Sequence, residues 1–231
     1  MRILIFIIFI FLNILPYTYE VKAASYKSLQ KKCKKIMIEN HPKINVFYNF
    51  GNLQINENKN SNEIKKISEK YSPKIDLTIN GYTLLNHYNK INLSAKRVLL
   101  DDTNYCIYPE SINYFIGYEN NIMYLSSEMK KDSCQYQQVK RHEEAHVDYA
   151  HTILLFSAKA IKNKIQQITL NLKPIVSTNY KENHAQTFID IYDNLLQPTL
   201  TLFQGALSEQ QKKLDTLENY KFETSICLKN N

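Results

Sequence analysis

The feature that most constrains this chain is a change of hydrophobic period at Ser133. Before it, apolar residues tend to alternate, as in Ile44, Val46, Tyr48 and Phe50, the spacing of a strand with one face buried. After it, Val147, Leu154, Ile161 and Ile168 recur every seven residues, and so do His151, Ala158, Ile165 and Leu172. A seam of that period calls for a long helix and a helical partner. Ser133 is a good N-cap and Pro174 stops the pattern, which predicts a helix from Ser133 to about Leu172. The partner is the stretch from Tyr180 to about Leu217, with Tyr192, Leu196, Leu200 and Leu207 on one side; Pro198 must kink or restart it. The expected fold is α+β, a largely antiparallel N-terminal sheet followed by a long helical hairpin docked on it.

The sheet half is read from residues 24–132. A short basic helix over Ser25 to Ile38 ends at His41-Pro42. Lys43 to Asn56 reads as a hairpin turning at Phe50-Gly51-Asn52. Ser61 to Tyr71 reads as a helix capped by Asn60 or Ser61. Short strands follow at Lys74–Asn80, Tyr82–Asn86, Arg97–Leu100, Tyr105–Gly117 and Ile122–Ser127, the last two joined by a turn at Glu119-Asn120-Asn121. Residues 24–231 read as one domain, with 133–217 as the hairpin and 218–231 as a C-terminal tail.

Inside the long helix lies His142-Glu143-Glu144-Ala145-His146, and three of the 6 histidines fall between His142 and His151. Positions four apart on a helix lie about 40° from each other around the axis. His142 and His146 can therefore aim both imidazoles at one point, which suits a tetrahedral Zn²⁺. Glu143 flanks His142, where its carboxylate can take a proton from a water. A solvated or capping histidine pair is the bland alternative; the helical context favours the metal.

A catalytic zinc takes three protein ligands, and the spacing leaves the third open. Glu182, His184, Asp190 and Asp193 are conventional candidates on the following helix. A hairpin turning near Val176 instead places Ala206 opposite His146, which brings Glu209 close and leaves Glu182 about five turns away. Glu128, at the end of the strand feeding the helix, is a further candidate. His151 lies about 140° from His146 around the helix, so it is read as a helix-contact residue on the seam.

The first residues read as an export signal. Arg2 is followed by the apolar run Ile3 to Leu15, and Val21-Lys22-Ala23 supplies small residues before a cut after Ala23. That run is shorter than the roughly 20 residues a membrane span needs. Cleavage predicts a periplasmic or secreted chain; an uncleaved start would be an N-terminal membrane anchor. Formal charge is +7, and losing Arg2, Lys22 and Glu20 leaves a basic mature chain. The lysines are scattered rather than gathered in a stripe, so no nucleic-acid partner is expected.

Four cysteines, Cys33, Cys106, Cys134 and Cys227, make an even set in an exported chain and permit three pairings. Position along the chain favours Cys106–Cys134 and Cys33–Cys227. A Cys₂His₂ zinc site competes, but the Cys-x₂-Cys spacing it usually needs is missing.

Tyr105-Cys106, Gly117-Tyr118, Met123-Tyr124-Leu125, Ser133-Cys134-Gln135-Tyr136, His142-Glu143-x-x-His146 and Leu214-Asp215-Thr216-x-Glu218-Asn219-Tyr220 are together similar to a known pattern. The chain resembles a family of uncharacterised exported bacterial proteins predicted to be zinc-dependent peptidases of the zincin kind. The likeness covers most of the mature chain and is best over Tyr105 to Ala150. It implies zinc at His142 and His146 with Glu143 as catalytic base. The family often has an acidic residue just before the second histidine; here Ala145 stands there and the extra acid is Glu144.

Motif and resemblance lead to the expectation of an exported zinc hydrolase, foremost a metallopeptidase acting on protein or peptide. The alternative is a non-catalytic envelope binding or assembly module whose metal is structural or absent. A zinc amide hydrolase acting on cell-wall material is a third reading that the motif does not separate from a peptidase.

Overall fold

The structure, a computed structural model, describes residues 25–71, 78–179 and 184–228. The expected leader, most of the strand expected at Lys74–Asn80, and Glu182 lie outside the described residues. In chain order the elements are α1 (residues 25–39), β1 (Lys43–Asn49), β2 (Leu53–Lys59), α2 (Ser61–Ser68), β3 (Gly81–Leu99) and β4 (Tyr105–Ser126). They are followed by α3 (Cys134–Asn171), β5 (Ile175–Ser177), α4 (Ala185–Leu214) and α5 (Leu217–Leu228).

All of the sheet's other strands pair with β4. At 22 residues it is longer than any partner, and the backbone groups along both its edges must be hydrogen-bonded where they are buried. The sheet is mixed: β2 lies parallel to β4, with Leu53 opposite Asn121 and Ile55 opposite Met123, whereas β5 lies antiparallel. The expectation of a largely antiparallel sheet is corrected by that parallel pair. Alternation identified strand-forming residues, but it carries no information about which strand is the partner or in which direction it runs.

The expected hairpin at Phe50-Gly51-Asn52 does not form, because β1 and β2 each pair with β4 rather than with one another. Gly51 still turns the chain, at φ 71°, and Asn121 Nδ2 donates to the Phe50 carbonyl at 2.6 Å. The turn expected at Glu119-Asn120-Asn121 is absent too. The strand runs straight through it, with Asn120 at φ 51°. Likewise β3 is a single 19-residue strand where two short ones were expected.

The chain gathers into two compact units. One draws on Met1–Asn45, Asn92–Ile112 and Gln166–Asn194, the other on Val46–Ile91, Asn113–Ile165 and Leu195–Asn231. In the first, Cys33 of α1 is bonded to Cys106 of β4, and both are fully buried with Met37, Ile107 and Phe188. Lys34 Nζ donates to the Leu170 and Leu172 carbonyls at 2.7 Å each, capping the end of α3. Thr169 Oγ1 lies 2.7 Å from the Tyr192 hydroxyl, joining α3 to α4.

The second unit carries the motif. Asn60 caps α2 in a capping box with Glu63, and Ser133 Oγ accepts from Tyr136 N at 3.2 Å, confirming the expected cap of α3. Met123, Leu125 and Met129 form a buried cluster against which Leu53, Tyr136, Val139 and Val147 pack. That contact seats the motif-bearing turns of α3 on the end of β4. Farther along α3, Leu154, Ala158, Ile161 and Ile165 are buried, as are Leu196 and Leu200 of α4, so the seven-residue seam beyond His151, which is exposed, is apolar core. Pro198 neither breaks nor restarts α4; it sits exposed inside one continuous helix. Residues 217–228, expected as part of the tail, are helical.

The expected disulfides are corrected: the pairs are Cys33–Cys106 and Cys134–Cys227, one within each unit. Sequence distance was the wrong guide, because β4 returns next to α1 and α5 returns to the start of α3.

Gly117 shows how tightly β1 lies on β4: a Cβ there would stand 1.9 Å from the Asn49 carbonyl oxygen. Gly117→Ala is expected to lose about 1–3 kcal/mol in urea unfolding, as overpacking does. Gly205 lies within α4 and has open space where a Cβ would stand, with nothing within 4 Å. Gly205→Ala should therefore gain roughly 0.5–1 kcal/mol in the same assay.

Candidate metal centre

α3 presents His142 and His146 one turn apart, with ring centroids 4.9 Å from each other. Both rings are buried, and their Nε2 atoms lie 3.2 Å apart. The third member comes from the corner between α4 and α5. Asp215 Oδ1 lies 3.2 Å from His142 Nε2 and 3.1 Å from His146 Nε2. One ligand atom from each of these residues falls within 4.8 Å of the others, so the group can hold a metal ion.

That corner is built by local hydrogen bonds. Asp215 N still donates to the Gln211 carbonyl at 3.1 Å, as the last turn of a helix does. Thr216 then caps α5, its Oγ1 accepting from Asn219 N at 3.2 Å. Asn219 Nδ2 donates to the Leu214 carbonyl at 2.9 Å and to Glu223 Oε1 at 3.1 Å. Tyr220 donates its hydroxyl to Asp215 Oδ1 at 2.9 Å, and its ring lies 4.9 Å from that of His142. One short helix thus orients the carboxylate and covers a histidine.

The outer contacts favour a cation. Glu223 Oε1 lies 3.2 Å from His142 Nδ1; a hydrogen on Nδ1 satisfies that contact and leaves the Nε2 lone pair turned toward Asp215 and His146. His146 Nδ1 is buried without a hydrogen-bond partner among the described residues, so the polar contacts of that ring are made by its Nε2. Two imidazole lone pairs and a carboxylate oxygen facing one point form a donor set for a divalent ion of the zinc type.

The charges of the side chains themselves tell the same story. Burial works to lower the His142 pKa, but hydrogen bonds to Asp215 and Glu223 and the charge of Glu143 outweigh it and raise it to about 9. His146 is raised for the same reasons. Burial would raise the Asp215 carboxyl, yet the two imidazoles hold it well below the usual carboxylate range. A positive charge at this point is therefore strongly favoured, and a metal would take it over by displacing protons.

Glu143 stands beside the group on β3's side. Burial pushes its carboxyl up, against the pull of His146 and His142. Its Oε2 accepts from Thr83 Oγ1 at 2.8 Å. A Cβ on Gly81 would stand 2.6 Å from Glu143 Oε1 and from Val139 Cγ1, so the start of β3 lies directly on this side chain. Ser126 N donates to the Asn80 carbonyl at 2.8 Å, which anchors that start of β3 at the end of β4.

Among the described residues, none of the third ligands considered from sequence joins the group. Glu209 pairs with Lys213 at 3.0 Å on the exposed face of α4. Glu128 accepts from Ser61 Oγ at 2.6 Å. Asp190 is exposed and accepts from Gln186 at 2.7 Å. His151, read as a helix-contact residue, packs its ring 5.5 Å from Phe50 instead. The register was at fault: Gln211, not Ala206, reaches the His146 carbonyl, at 3.4 Å. The connection holds β5 and extends past Ser177, so the chain returns five residues later than a turn at Val176 implies. The stretch Leu214-Asp215-Thr216 within the family resemblance was the available signal for Asp215.

Comparison with known proteins finds no family model that matches this chain, and no matching curated protein or solved structure.

α5 has no buried residue, yet it carries Tyr220 and Glu223, and Cys134–Cys227 ties it to the first residue of α3. Cys227→Ser is expected to raise amide hydrogen exchange across residues 217–228 while α3 stays protected, with about 2–4 kcal/mol of stability lost. Unchanged exchange in α5 would show that the bridge is not what holds it.

Proposed function

We propose that this chain is an exported zinc-dependent hydrolase, specifically a metallopeptidase of the zincin kind with Glu143 as general base. The observation that carries the reading is Asp215: it supplies a third ligand atom beside His142 and His146, the number a catalytic zinc takes while keeping a position open. The histidine side chains are almost wholly covered, whereas the Asp215 side chain is 35% exposed, so approach is from the carboxylate's side. A structural site would be expected to close with a fourth protein ligand; among the described residues the group has three. That favours the enzyme over a binding or assembly module.

The chemistry supplied by a bound zinc ion is Lewis acidity, which polarises a scissile carbonyl and acidifies a water to a pKa of about 7. The chain's own groups do the rest. Thr83 holds Glu143 Oε2, leaving Oε1 to take the proton and return it to the leaving amine. Its raised pKa brings the carboxyl nearer to the working range of a base that must also act as an acid. Glu223 orients His142, and Tyr220 positions Asp215.

Export is supported by two disulfides that use all four cysteines. No described helix is long and apolar enough to cross a membrane.

Purified protein is expected to hold about one zinc per chain by elemental analysis, and His146→Ala to lose it. Folded, metal-free protein that refuses added zinc would sink the reading. Glu223→Gln should weaken zinc affinity about 10–100-fold in a chelator competition. Glu143→Gln should keep the metal while peptide hydrolysis falls about 100- to 10,000-fold; hydrolysis at the original rate would remove Glu143 from the role of base.

A further inference from the structure

A groove of about 450 Å³ lies in the same unit as the metal group. Its walls are the first residues of β3, Tyr82 to His87, the turns of α3 that follow the motif, and the half of α4 that contains Leu200, Phe203 and Leu207. Among the described residues, no Lys, Arg, Asp or Glu lines it, and burial lowers the pKa of its histidine, His87, toward the neutral form. The groove has the size of a ligand site and the apolar lining such sites have.

Two lining residues belong also to the candidate centre. Thr83 lines the groove and donates to Glu143. Gln211 lines it and donates to the His146 carbonyl. A chain held with its scissile bond at the metal group would therefore have this groove as its neighbour, and what can enter is set by the lining. A charged side chain would lose its water and find no counter-charge there. A large aliphatic or aromatic one would cover apolar surface on both sides.

Resting on the peptidase reading, we propose that this groove is the specificity pocket, taking a large uncharged apolar side chain of the substrate beside the scissile bond. Leu207 and Phe203 of α4 and Leu84 and Leu85 of β3 select it, and Thr83 links the filled pocket to the base.

The test uses the zinc-loaded full chain and four acetyl-amino-acid hydroxamates, whose shared head binds zinc while the side chain varies. Calorimetry should rank leucine and phenylalanine at least 10-fold tighter than alanine, with lysine weakest, since a single missing methylene already discriminates about 10–200-fold. Leu207→Asp should flatten that ranking and improve lysine, with zinc content and alanine affinity unchanged. Phe203→Ala, a milder change, should reduce the phenylalanine preference if Leu207→Asp fails to fold. Equal binding of all four by a zinc-loaded wild type would overturn the pocket and leave the metal centre standing. Absence of both zinc and binding would overturn the underlying reading and the pocket with it.

Discussion

Two imidazole nitrogens held 3.2 Å apart are a demand as much as a contact. With both lone pairs turned inward they repel, and only a positive charge between them, proton or metal, makes the arrangement favourable. Asp215 supplies the balancing negative charge from the opposite side. The burial of Glu143, the reach of Glu223 and the hydroxyl of Tyr220 all refer to that cation-seeking point. Removing the carboxylate would leave two buried histidines with only Glu143 and Glu223, among the described residues, to offset a charge, in keeping with its place on a corner fixed by many local hydrogen bonds.

The rest of the second unit serves to place that corner. β4 delivers the chain to Ser133, the Met123–Leu125–Met129 cluster seats the first turns of α3, and the apolar seam aligns α4. The path of α4 then determines where Leu214 ends. An error of one helical turn in that alignment would displace Asp215 by about 5 Å and break its contact with both histidines. The seam's packing is thus also the ruler that sets where the carboxylate meets the two histidines.

Much of this was legible in the sequence, for identifiable reasons. The juxtaposition of His142 and His146, the span of α3 and its apolar stripe follow from helical periodicity, a local property that tertiary context did not override. Strand direction, the partners of β1 and β2, and the cysteine pairs depend on contacts distant along the chain, and no local pattern encodes them. Asp215 falls between these cases. α3 and α4 do meet, through Thr169 with Tyr192 and Gln211 with His146, but their register depends on the length of the connection that holds β5, and it is Asp215 rather than Glu209 that comes into range. α5 escaped notice because its polar and apolar residues show no helical face, in keeping with its having no buried residue.

The wide separation of the ligands along the chain has a consequence of its own. Asp215 follows His142 by 73 residues, and α4 lies between them in the chain. During synthesis the histidine pair is made early and the carboxylate late. A chain cut short between His146 and that corner bears the recognisable motif but lacks Asp215. The arrangement acts as a check on completeness: an unfinished or trimmed copy carries the histidine pair without its carboxylate partner.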